Sequence, residues 1–508
     1  MLLHHFIETT ARDCPDKTGL VVAQRSYRFR EIDEAADRLA CSLQEMGVKR
    51  GDRVAAMLEN GFDMVVALWG TLKSGAVFVP INTGVKADKL RFMLADSGAA
   101  VCLAPALLRE RVAEAIAGSP TPIIWAGGAD DGTGPRLNDI IARPHRKPAE
   151  TGLIDQDLCL IIYTSGSTGS PKGVMMTHRS IRNNVWSIST YLGNRPEDVV
   201  LCVLPLSFDY GLFQVLTGAR IGFTLVLEKS FAFPYDVLKR IAQHRVTGLP
   251  GVPTIFAKLL EFAPFDGLDL SSLRYLSNTA AALPAAHIAA LRKALPQAAI
   301  FSMYGLTECT RVAYLDPAKL ARKPDSVGRA MPNSETWIVD ERGRRCGPHE
   351  VGELVVRGTS LMRGYWKRPE ATAQALRDGD LPGEKILYTG DLFWQDDEGD
   401  LYFVGRRDDV FKCRGEKVSP REVEACLYEL DMVAEAAVTG VPHPTDGMAI
   451  RAHVVARDGQ DISADTLRKH CLARLEPLLV PRFFDIRACL PKTDSGKISK
   501  TMLRQEAD

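Results

Sequence analysis

Apolar strand-like runs alternate with amphipathic helical ones through the first four hundred residues, and this alternation restricts the chain to an α/β layered fold with largely parallel strands. A helix that crosses from one parallel strand to the next must bury its apolar stripe on a sheet face, so the two periodicities have to succeed one another along the chain. Residues 31–46 place Ile32, Ala35, Ala36, Leu39, Leu43 and Met46 on one helical face, and Gly47 stops that helix. A buried strand is predicted over 53–58, a helix over 62–74 and a strand over 76–80. With 508 residues the chain exceeds one ordinary core, so at least two domains are expected. Beyond Asp400 the grain changes. Arg406, Arg407, Asp408 and Asp409 form a charged interruption, after which β-α-β alternation runs through 418–430, 434–441, 450–456 and 464–473. The pattern predicts a large domain over 1–404, a polar hinge over 405–410 and a small mobile α+β domain over 411–508.

Charge and cysteine usage narrow the function. Basic and acidic residues both number 63, which leaves no basic field to recruit nucleic acid or an acidic membrane, so an anionic ligand has to be met locally. Eleven cysteines lie scattered without CxxC or CxxH spacing, which favours reduced thiols over disulfides or zinc. No run of about 18 apolar residues predicts a membrane span. The start Met1-Leu2-Leu3-His4-His5 lacks a charged and then apolar export signal, so a cytoplasmic enzyme is expected.

Directly after the apolar run 158–162 comes Tyr163-Thr164-Ser165-Gly166-Ser167-Thr168-Gly169-Ser170-Pro171-Lys172-Gly173. A buried strand delivers such a loop to a sheet edge, glycines let backbone N–H groups approach anionic oxygens, hydroxyls donate further bonds, and Lys172 supplies charge. No Gly-Lys-Ser/Thr step opens a helix here, so this is not a Walker A loop. The stretch resembles the phosphate loop of the AMP-forming adenylate ligases: acyl-CoA synthetases, peptide-synthetase adenylation domains and luciferases. Further blocks resemble that family in order. They are Tyr304-Gly305-Leu306-Thr307-Glu308, Gly352-Glu353-Leu354 with Gly364-Tyr365-Trp366, Tyr388-Thr389-Gly390-Asp391, Gly405-Arg406-Arg407-Asp408 with Lys412 and Gly415, and Pro491-Lys492-Thr493-Asp494-Ser495-Gly496-Lys497.

The resemblance implies ATP and Mg²⁺ as cofactors and an acyl-adenylate intermediate. Thr164, Ser165, Gly166, Ser167, Thr168, Gly169 and Lys172 would clamp the polyphosphate. Glu308, beside Thr307, would hold Mg²⁺, since a hard cation bridging phosphates is bound by one or two carboxylates and water. Tyr304 offers an aromatic face to adenine, Asp391 would accept both ribose hydroxyls with Arg406 nearby, and Lys497 would neutralise charge developing at the α-phosphate. In the resembling enzymes the small domain then rotates about the aspartate that matches Asp408, and a thiol enters past the block 412–419.

On substrate the signals divide. Phe208-Asp209-Tyr210 has the register in which amino-acid-activating domains carry an aspartate for the substrate ammonium, whereas many fatty acyl-CoA synthetases carry histidine there. Asp209 is equally suited to cap a helix over 210–217. By the same register Tyr210, Phe213, Asn278, Met303, Arg311 and Val312 would surround the acid, with Arg311 meeting either a carboxylate or a neighbouring acid. Leu306, where peptide-synthetase domains mostly carry proline, points to the acyl-CoA ligase branch. The favoured expectation is an amino acid loaded onto the phosphopantetheine of a separate carrier protein, and the alternative is CoA ligation of a non-amino fatty or aryl acid.

Overall fold

The helix Phe29–Glu45 forms on the face the periodicity predicts. Ile32, Ala35, Ala36, Leu39 and Leu43 are buried, and the Glu31 carboxylate accepts from the Arg28 amide at 2.7 Å to close the first turn. It packs on the helix Phe62–Lys73, and Gly70 permits that approach, since a Cβ there would stand 2.8 Å from the Leu39 side chain. At the end of the second helix the Lys73 ammonium, 2% exposed, lies 2.6 Å from Asp33 and 2.5 Å from Asp37 of the first. The computed structural model describes residues 1–506 other than 120, 129–131, 133, 165–170, 266, 280–281, 408, 410, 414–415, 444–446 and 494–496; of residues 412, 416, 417 and 447 it describes the backbone alone.

Two sheets enclose this helix pair in the large domain. In the seven-stranded one, Leu158–Thr164 runs parallel to Val77–Pro80, Arg53–Ala56, Ala99–Pro105 and Ile123–Ala126, then turns antiparallel into Lys172–Thr177 and Gly364–Tyr365. The 14-stranded sheet has a parallel half, in which Thr18–Val22, Thr224–Leu227, Val199–Cys202, Gly248–Gly251, Tyr275–Asn278 and Ala299–Tyr304 lie side by side. From Ala313–Tyr314 onward its strands pair antiparallel. The expectation of largely parallel strands therefore holds only to Tyr304. Beyond that point short links replace crossover helices, and antiparallel pairing is what short links allow.

The small domain is a five-stranded sheet with its own core. Val433–His443 and Gly447–Ala456 form its central ladder, and Val418, Val423, Leu427, Val438, Val454 and Leu467 are among the residues buried beneath the helices Pro420–Tyr428 and Ala464–Arg474. It touches the large domain where Ser419 Oγ donates to the Val404 carbonyl at 2.6 Å and the Arg421 guanidinium lies 5.4 Å from the Phe403 ring centroid. Among the described residues no helix is long and apolar enough to cross a membrane, and the cysteines are unbridged.

Candidate functional site

Strands of both sheets deliver the predicted residues at their carboxyl ends, where an α/β sheet leaves a crevice. Asn278 closes Tyr275–Asn278, Met303 and Tyr304 close Ala299–Tyr304, and Phe208, Asp209 and Tyr210 follow Val199–Cys202 after a short connection. Thr164 ends its strand and pairs with Lys172 across an antiparallel hairpin. Ser165, Gly166, Ser167, Thr168 and Gly169 lie outside the described residues, as do Asp408, Gly415, Asp494, Ser495 and Gly496.

Lys172 and Glu308 meet through Tyr365, a residue quoted within a sequence block but not assigned to the site. The Tyr365 hydroxyl donates to Glu308 Oε1 at 2.7 Å, and the Lys172 ammonium lies 5.5 Å from the centroid of the same ring. Strand pairing of Tyr365 with Val174, two residues past Lys172, holds the ring there. A half-buried carboxylate held by a phenol whose ring also carries a lysine ammonium is of the kind that would hold a magnesium ion. Glu308 also sits before a strained turn. Thr310 has φ of 63°, a region that costs a β-branched residue about 1–3 kcal/mol. Gly305 is required there because a Cβ would stand 2.2 Å from the Thr310 carbonyl oxygen.

Tyr304, Asp391 and Arg406 form the second cluster. The Tyr304 hydroxyl donates to Asp391 Oδ2 at 2.6 Å, and Arg406 Nε lies 3.5 Å from Asp391 Oδ1. Burial pushes the Asp391 carboxyl up, against the pull of Arg406 and of the Tyr304 hydrogen bond. The phenol of Tyr304 is itself pushed well up by burial and by Asp391, so it stays a donor. The sequence assigned these two residues separate tasks, an aromatic face and a pair of acceptor oxygens. The fold couples them, with one carboxylate oxygen held by Tyr304 and the other turned toward Arg406.

Lys497 belongs to the same crevice. The Thr493 amide donates to the Lys497 carbonyl at 2.7 Å, and Lys492 forms an antiparallel bridge with Ile498. Solvent reaches the Lys497 side chain, yet protein crowds it on most sides. That desolvation lowers its pKa, while the fields of Asp209, Asp391 and Glu308 oppose the fall.

The predicted acyl-site residues Tyr210, Phe213, Asn278, Met303, Arg311 and Val312 are all buried. Asp209 does not cap its helix as expected. The helix Asp209–Ile221 begins one residue earlier, with Phe208 at the cap, and Asp209 Oδ1 accepts from the Tyr210 amide at 2.8 Å inside the first turn. Burial raises the Asp209 carboxyl, opposed first by Arg311 and then by Lys497. Arg311 is 2% exposed with its guanidinium 5.0 Å from the Tyr210 ring centroid. Of the two partners foreseen for it, no neighbouring acid stands within 4.0 Å among the described residues.

Residues 7–366 match the AMP-binding enzyme family and residues 422–497 the AMP-binding enzyme C-terminal domain. A long-chain-fatty-acid–CoA ligase of Bacillus subtilis is 32% identical over 99% of this chain and 94% of its own, and a feruloyl-CoA synthase of an Amycolatopsis species is 34% identical over 97% of each. Among solved structures, the anthranilate CoA ligase AuaEII in complex with anthranoyl-AMP superposes with a TM-score of 0.92 at 28% identity, covering 100% of this chain and 97% of that one. ATP-bound MatB from Rhodopseudomonas palustris superposes at 0.90 with 26% identity, over 100% and 99%.

Proposed function

Because the chain belongs to the AMP-binding enzyme family and is an AMP-forming ligase that activates a carboxylic acid with ATP, we propose that it joins a non-amino carboxylic acid to CoA. In the first step the acid's carboxylate oxygen forms a bond to the α-phosphorus while the α–β phosphoanhydride bond breaks, giving acyl-adenylate and pyrophosphate. In the second, the CoA thiol gives up its proton, its sulfur attacks the acyl carbon, and AMP leaves. The hairpin 164–172 and Lys172 hold the polyphosphate through this, and Asp391, with Tyr304 and Arg406 behind it, holds the ribose. Glu308 would hold the magnesium ion, which when bound would offset polyphosphate charge. Lys497 opposes the negative charge that builds at the α-phosphate. The division at 405–410, the rotation about Asp408 and a cytoplasmic location are parts of the same reading.

The surroundings of Asp209 carry the choice between acid classes. Its carboxylate lies in the field of two cations of the chain itself, Arg311 and Lys497, so a substrate ammonium entering beside it meets like charge. CoA as acceptor is supported by the names of the relatives, which are CoA ligases and a CoA synthase. The test is a panel of acids, each with and without an α-amino group, assayed with ATP, Mg²⁺ and either CoA or a phosphopantetheinylated carrier protein. CoA thioester and AMP are expected from des-amino acids. Pyrophosphate exchange driven by amino acids, with thioester formed only on the carrier, would replace this reading with the carrier-loading one.

Tyr365 gives a further expectation. Tyr365→Phe removes one hydrogen bond to a charged carboxylate, worth about 1.5–3 kcal/mol, without emptying the ring position under Lys172. It should raise the Mg²⁺ concentration that supports half-maximal pyrophosphate exchange about tenfold or more while the melting curve stays put. An unchanged Mg²⁺ dependence would show that Glu308 needs no such support.

A further inference from the structure

We propose that Arg311 is the specificity-determining residue of the acyl site and that the preferred acid carries a second carboxylate on its acyl portion. The inference rests on the acid–CoA ligase reading and adds the substrate class to it. Arg311 is buried to 2% exposure, its Nε has no hydrogen-bond partner, and among the described residues no carboxylate oxygen stands within 4.0 Å of the guanidinium. The chain handles its other deeply buried cation differently, holding Lys73 between Asp33 and Asp37 at 2.6 and 2.5 Å. Arg311 has instead the phenols of Tyr191 and Tyr210, both neutral, the second presenting its ring face at 5.0 Å. A ring face attracts a cation but does not neutralise it, and an arginine cannot shed its proton to escape the cost of burial.

Position decides what the missing anion belongs to. Arg311 follows Glu308 by three residues, behind the strained turn at Thr310 that folds the chain back over Gly305. Its ring neighbour Tyr210 directly follows Asp209, which groups Arg311 with the residues assigned to the acyl side, whereas Glu308 and Lys172 are gathered around Tyr365. A carboxylate presents two coplanar acceptor oxygens that match the guanidinium fork, and one arriving on the acyl chain would supply the counter-charge that none of the described residues places in contact. Asp209, the acid whose field reaches Arg311, has Oδ1 engaged by the Tyr210 amide and does not come into contact. An apolar acyl tail would leave the buried guanidinium with no carboxylate of the described residues in contact.

The experiment compares monocarboxylic acids with dicarboxylic acids of the same carbon number, over several chain lengths and one aryl pair, in wild type, Arg311→Met and Arg311→Lys. Each is assayed for acid-dependent pyrophosphate exchange and CoA thioester formation, with ATP binding and a melting curve measured on every variant. At the best length wild type should use the diacid with kcat/KM about tenfold or more above its monoacid partner. Arg311→Met should lose about 100-fold on that diacid through KM and at least about tenfold less than that on the monoacid, with Arg311→Lys between. Should the methionine variant fail to fold, Arg311→Lys alone still reads the diacid-to-monoacid ratio. A wild-type preference for the monoacid at every length, or equal losses on both members of a pair, would overturn the assignment while sparing the ligase reading. Failure of every acid in either set to yield CoA thioester, with amino acids driving exchange, would overturn both.

Discussion

Lys497→Ala is expected to lower acid-dependent pyrophosphate exchange by about 100-fold to 1,000-fold, the loss typical of removing one preorganised donor from a developing charge. Thioester formation from supplied acyl-adenylate should fall far less. The asymmetry follows from where the lysine stands. In the structure Lys497 lies in the field of Asp209, Asp391 and Glu308, the residues around the expected acyl, ribose and metal positions, so its ammonium is placed for the step in which the α-phosphate gains charge. It directly precedes Ile498, which bridges to Lys492 in the small domain, and the resemblance implies that this domain turns away before the thiol enters. Single-turnover measurement of both half-reactions decides the matter. Equal losses in the two would mean that one arrangement of the domains serves both steps.

Lys73→Met should destabilise the large domain by about 3–5 kcal/mol and leave KM for ATP and acid unchanged. The ammonium is 2% exposed and has Asp37, 4% exposed, and Asp33, 19% exposed, in contact, with Glu8 at 3.8 Å. Its pKa is lowered by burial but raised overall by the two aspartates, so the ammonium keeps its proton at neutral pH and methionine would leave the aspartates without a counter-ion. His145, whose Nε2 lies 2.9 Å from Asp37, is too exposed at 35% to replace a buried ammonium. Adding Asp37→Asn to Lys73→Met should recover part of the loss. Thermal and urea unfolding of the single and double variants, with steady-state kinetics on the surviving folded protein, provide the check. A wild-type melting curve for Lys73→Met would show that apolar packing around Gly70 and Leu39 alone holds the two helices together.

The parts of this protein that were legible beforehand are those set by local order. The helix predicted over 31–46 is Phe29–Glu45, that over 62–74 is Phe62–Lys73, and the strand expected over 76–80 is Val77–Pro80. In each case a stripe of apolar side chains at one spacing must be buried on one side, and that requirement is written in consecutive residues. The change of grain past Asp400 and a small domain beyond it were equally visible, but not that its sheet has five strands. The direction of strand pairing after Tyr304 was not, because a period of two reads the same whichever way the neighbour runs.

Only the tertiary structure decided which of the candidate residues act together. Tyr365 reaches Glu308 across 57 residues and Tyr304 reaches Asp391 across 87, distances over which no local pattern records a partner. Asp209 read equally well as a helix cap and as an ammonium partner. The fold put Phe208 at the cap and turned the field of Arg311 and Lys497 onto the carboxylate. For Arg311 the sequence offered either a substrate carboxylate or a neighbouring acid, and burial with no acid of the described chain within 4.0 Å favours the first. A sequence states which charges a chain carries, but whether a charge is answered from within depends on what packs against it, and that is settled only when distant strands and loops close around the crevice.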